Sequence, residues 1–114
     1  MRQVQDDAFD LDHHPDRNYV FIAGGIGSAP VMSMLRTLAD RNDDRHLQFF
    51  YGNPTYETII FREELESLQQ QLNLDVIHVL EKPHTGWEGE TGYITKAVLE
   101  RHLTPEFQHC TYFI

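Results

Sequence analysis

The residues best placed to do chemistry here are glycines. Gly24, Gly25 and Gly27 fall within four positions and lead into Ser28, Ala29 and Pro30, with Ile26 between them. Glycines at the end of a strand let the backbone turn sharply and come close to a ligand. A helix opening near Ser28 to Pro30 would aim its unsatisfied N–H groups, and the positive end of its dipole, at that same spot. Pro30 agrees with this, because proline in the first helical turn sacrifices no donor. The chemistry on offer is the holding of a diphosphate-sized anion. A glycine turn equally serves as a tight connection without a ligand, so its surroundings must decide.

Other chemistries find less support. No Gly-Lys-Ser/Thr follows the glycines, which disfavours a P-loop. The simple dehydrogenase fingerprint has a third glycine where Pro30 stands and an acidic residue closing its second strand, where this chain has Gly52-Asn53-Pro54. The seven histidines are scattered and show no His-Glu-x-x-His spacing, so no metal site is expected. No Ser/His/Asp or Cys/His arrangement stands out, and no catalytic side chain is assigned.

Positioning such a turn requires an α/β framework. Four apolar runs read as strands: Tyr19 to Ala23, Leu47 to Tyr51, Leu74 to Leu80 and Cys110 to Ile114. Their near-continuous apolar character suits strands covered on both faces, as in a parallel sheet. Between them, Val31, Met34, Leu35 and Leu38 repeat at helical spacing, and Phe61, Leu65, Leu68 and Leu72 form a second stripe. A short third helix spans roughly Thr95 to His102, with Thr95 as its N-cap. Strand and helix alternate, and right-handed crossovers then give an α/β, doubly wound parallel sheet of at least four strands with flanking helices. The glycine turn sits at the first crossover, beyond a strand's C-terminal end, where such sheets bind ligands.

The chain's 114 residues suit one domain. A net charge of -9, with no cluster among its nine basic residues, disfavours nucleic acid. Acidic residues crowd the start (Asp6, Asp7, Asp10, Asp12, Asp16), and a boundary falls around His13 to Asp16. Residues 1–17 therefore read as a solvated lead segment and 18–114 as the domain. The lone Cys110 permits no intramolecular disulfide and reads as a small buried apolar residue in the last strand. No apolar run approaches the ~20 residues needed to cross a bilayer, so a cytoplasmic setting is expected, or the cytosolic part of a membrane-bound parent.

Three ordered blocks carry a family resemblance. Phe21 to Gly27 with Pro30 and Ser33-Met34-Leu35-Arg36, then Tyr51-Gly52-Asn53 with Ile59 to Leu65, then Trp87 to Ile94, together resemble the NAD(P)-binding domain of the ferredoxin–NADP reductase superfamily. The resemblance runs from about residue 9 to 114. It implies that Gly24, Gly25, Ile26, Gly27, Ser28 and Pro30 form the turn that holds the cofactor's diphosphate. It implies that Tyr51, Gly52 and Asn53, with Arg62 as a further candidate, face the adenosine ribose, and that Thr91 and Gly92 line the groove. The cofactor would be NADH or NADPH, with a lean to NADH because Pro54 stands where many relatives carry an arginine.

The resemblance further implies FAD in a separate upstream domain, whose tail Phe9-Asp10-Leu11 resembles, and a downstream electron acceptor left open. Hydride donor and flavin carry the chemistry, and the protein's share is positioning. A non-catalytic nucleotide-binding or regulatory module is the alternative, and a flavodoxin-like protein binding its own flavin a third. Relatives continue the last strand into a Cys-Gly-Pro turn and a further strand. Ending at Ile114, the chain reads as an incomplete Rossmann-like domain, inactive alone. The fourth strand is then expected to be an unpaired edge, open to dimerisation.

Overall fold

A computed structural model describes residues 2–4, 18–103 and 111–113. The upstream resemblance at Phe9-Asp10-Leu11, the boundary histidines, Cys110 and Ile114 lie outside those residues. The described chain forms one six-stranded sheet flanked by helices, which is the α/β layout expected.

Strands β1 (Arg2–Val4), β2 (Asn18–Gly24), β3 (His46–Asn53), β4 (Asn73–Leu80), β5 (Glu90–Thr91) and β6 (Thr111–Phe113) lie in the order β1-β6-β2-β3-β4-β5. Every neighbouring pair is parallel. The chain builds outward from β2 to β5, then returns to place β6 on the other side of β2. The topological switch point thus lies at the C-terminal end of β2, where the glycine turn begins.

Helices α1 (Ala29–Asp40), α2 (Arg62–Gln71) and α3 (Lys96–His102) cover the two faces of this sheet. Alternation along the strands separates two cores. Tyr19, Phe21, Leu47, Phe49 and Tyr51 pack with Leu35 and Leu38 of α1 and Leu65 and Leu68 of α2. Val20, Phe50 and Val79 pack with Val98 of α3. Asn42, at φ 52°, closes α1: its N–H and that of Asp43 bond the Ala39 and Leu38 carbonyls at 3.0 Å each. That is a helix stop with asparagine in the left-handed position usually given to glycine. The Thr95 side chain accepts from the Val98 N–H, which confirms the third N-cap.

Two features depart from expectation. The two-residue β5 has no counterpart in the sequence reading; it pairs with Val79 and Leu80 and draws Glu90 and Thr91 into the sheet. More consequentially, the fourth expected strand is not an open edge. Thr111–Phe113 pairs with Tyr19–Phe21 on one side and with Arg2–Val4 on the other. An unpaired strand offers a row of N–H and C=O groups, and an extended segment of the same chain satisfies them without a second copy. The contact proposed for a dimer is therefore occupied within the chain, by part of what reads as a solvated lead.

Candidate cofactor groove

The glycine turn forms as a four-residue 3-10 segment, Gly25–Ser28, between β2 and α1. Gly25 has φ 51°, a left-handed conformation that any side chain would strain. Gly24 pairs in register with Gly52 at the end of β3, and a Cβ on Gly24 would come 3.4 Å from the Gly52 carbonyl oxygen. These glycines let two strand ends approach each other. At Gly25, Gly27 and Gly92 an added Cβ would meet nothing within 4 Å, so each borders open space.

That space is a groove of about 480 Å³. Its walls come from four strand ends: Gly24 and Gly25 at the end of β2, Gly52 to Pro54 at that of β3, Glu81 after β4 and Gly92 to Ile94 after β5. Asn53 is only 2% exposed, and its side-chain Nδ2 has no partner. A buried amide N–H without an acceptor is costly. The open space above the glycines at the strand ends fits a phosphorylated nucleotide.

Of the residues singled out beforehand, Gly24, Gly25, Gly52, Asn53 and Gly92 meet on this groove. The backbone of Ile26 and Gly27 lies within the turn, and Pro30 sits exposed in the first turn of α1. Thr91 is exposed and belongs to β5 beside the groove. Ser28 and Tyr51 are fully buried and bond to each other, so neither side chain presents itself to the groove. Arg62 stacks over the Tyr56 ring, 4.6 Å from guanidinium carbon to ring centroid. Burial and then the Arg62 charge push the His78 ring below its ordinary pKa.

Pro54, Glu81, Tyr93 and Ile94 line the groove without having been singled out for it. The available signal was positional: Glu81 follows the last residue of β4 just as the glycines follow β2. Tyr93 is 72% exposed, and a hydrogen bond to the Glu81 carboxylate pushes its hydroxyl above the usual pKa.

The wall around Gly92 is held by polar contacts. Gly92 N–H donates to the Leu80 carbonyl at 2.8 Å, and Trp87 Nε1 donates to the Glu90 carbonyl at 2.9 Å. The Glu90 carboxylate takes two bonds from Arg101, at 3.1 and 2.5 Å, and meets His102 Nε2 at 2.8 Å. Arg101 above all, and His102 after it, hold the Glu90 pKa at about 2.

Residues 21–113 match the oxidoreductase NAD-binding domain family. The chain belongs to that family. It is 31% identical to NADH-cytochrome b5 reductase 2 of Rattus norvegicus over 103 residues, covering 84% of this chain and 37% of that protein. It is 38% identical to the NADH-cytochrome b5 reductase-like protein alnC of Emericella nidulans over 95 residues, covering 82% of this chain and 20% of that protein. The chain thus spans well under half the length of these relatives.

Among solved structures, the cytochrome b5 reductase domain of Ulva prolifera nitrate reductase superposes with a TM-score of 0.72 at 23% identity, over 86% of this chain and 38% of that one. The CS-b5R domains of human Ncb5or, in an NAD+ form, give 0.63 at 31% identity, over 74% and 24%. The fold and the NAD-binding family expected from the three sequence blocks are those found. Among the described residues, no helix is long and apolar enough to cross a membrane, and no cluster of His, Cys, Asp or Glu could hold a metal ion.

Proposed function

We propose that this domain binds NADH for a flavin-dependent oxidoreductase. It would present the nicotinamide to FAD carried on an upstream domain, for hydride transfer and onward passage of electrons. The observation that carries this is the groove itself, lined by Gly24, Gly25, Gly52 and Gly92 at the strand ends, with open space over Gly25 and Gly92. The glycine turn and the first turn of α1 would take the diphosphate. The chain's own contribution is orientation, because the cofactors supply the redox chemistry.

The groove favours NADH over NADPH. Glu81 places a carboxylate on its wall, and no lysine or arginine is among its described lining residues. An added 2′-phosphate would meet a like charge and no cation. Relatives named as cytochrome b5 reductases support a small haem protein as the electron acceptor, and a cytosolic setting goes with that reading.

The test is calorimetric titration with NADH, NADPH and ADP-ribose. NADH and ADP-ribose should bind, with NADPH weaker on the order of tenfold, about 1.4 kcal/mol. Silence toward ADP-ribose, in this chain and joined to its flavin domain, would sink the reading.

A further inference from the structure

We propose that Ser28 and Tyr51 act as a buried hydroxyl relay that sets the diphosphate turn, as positioning residues that do not touch the ligand. Ser28 Oγ lies 2.8 Å from the Gly25 carbonyl oxygen and 3.0 Å from the Tyr51 hydroxyl. A serine hydroxyl has one proton. That proton goes to the Gly25 carbonyl, which can only accept, so the tyrosine hydroxyl donates to Ser28. The order is fixed: Tyr51 to Ser28 to Gly25.

Both ends of the relay matter to the groove. Gly25 is the left-handed residue of the turn and lines the groove. Tyr51 is held in β3, its ring stacked on Phe49 with centroids 4.8 Å apart and planes 11° apart. The next two residues, Gly52 and Asn53, form the facing wall. The relay therefore fixes the turn after β2 against the wall formed by β3. Both side chains are fully buried, where water does not compete for these bonds.

The relay also diverts a cap. Ser28 occupies the N-cap of the 12-residue α1, yet its side chain makes no cap bond. An N-cap serine ordinarily satisfies one of the first-turn N–H groups. Here its oxygen is committed to Tyr51 and Gly25 instead.

This inference rests on the groove being a diphosphate site, and its test separates the two. Tyr51→Phe keeps the ring and deletes the donor; Ser28→Ala deletes the oxygen without adding bulk and serves if the first variant misfolds. NMR titration, which reads millimolar binding, should show ADP-ribose weakened about fivefold in each single variant. The double variant should be no weaker than the worse single, because the pair acts as a unit. Adenosine, which lacks phosphate, should change less than about twofold, whereas a merely structural role would weaken both ligands alike.

ADP-ribose binding within about twofold of wild type in Tyr51→Phe, or an equal loss for adenosine, overturns the relay and leaves the cofactor reading standing. If wild type is silent toward ADP-ribose, alone and joined to its flavin domain, the cofactor reading falls, and amide exchange at Gly27 and Ser28 then reports on the relay alone. Faster exchange there in Tyr51→Phe upholds it; unchanged exchange overturns it.

Discussion

The two walls of the groove are fastened by opposite means. The wall of Gly24 to Ser28 is tied down from beneath by neutral hydroxyls that water cannot reach. The wall of Gly92 to Ile94 hangs from a two-residue strand and from an ion cluster, Glu90 with Arg101 and His102, at the surface. The Arg101 side chain is 55% exposed, so solvent and salt reach this clasp. Buried hydrogen bonds are insensitive to ionic strength, while exposed ion pairs are screened. The first wall is built to keep one geometry and the second is free to give.

The largest effect should come from filling the left-handed positions on each wall. Gly25→Val combines a strained φ with a side chain in the space above the turn, at about 2 kcal/mol of strain alone. ADP-ribose affinity should fall by more than about tenfold, with a lower urea midpoint. Gly92→Val, at φ 84°, should lose less than half as much of either, because its wall can shift. Equal losses in denaturation and titration would show that the two walls are equally rigid.

A middle-sized effect concerns the charge on the yielding wall. Glu81→Gln should improve NADPH binding relative to NADH about fivefold, with NADH itself little changed, as the removal of one like charge allows. A ratio that stays at the wild-type value would remove Glu81 from cofactor choice.

The smallest effect is the clasp. The depressed Glu90 pKa means its contribution to stability is full above the ordinary value of 4.5 and is lost as pH falls through about 2. Glu90→Gln should therefore be slightly less stable than wild type at pH 6, and the difference should vanish near pH 2. Roughly 1 M salt should shrink the pH 6 difference by about half. The same salt should leave amide exchange in the glycine turn untouched. A gap that persists at pH 2 would mean the clasp works through packing rather than charge.

Much of this site was legible in the chain. The glycine turn announces itself because glycine is the residue least strained at the φ of Gly25, and Pro30 marks the helix start. Tyr51 shows where reading stops. Its type and place suggest a ligand contact, whereas its hydroxyl is spent on Ser28, 23 residues away. Arg62 likewise reads as a residue facing the cofactor's ribose, yet it stacks on the ring of Tyr56. No local pattern encodes either partner.

The sequence by itself determined four of the six strands, the three helices between them, the parallel sheet and the position of the glycine turn. Those follow from apolar periodicity and from backbone conformations that few residues can adopt, both local properties. Tertiary structure alone decided the rest: Arg2–Val4 closing the edge of β6, Glu81 reaching the groove wall, and the turn resting on Ser28 and Tyr51. Each depends on which groups the sheet brings near one another, because a hydrogen bond forms only at about 3 Å and the pull or push of a charge weakens steadily with distance.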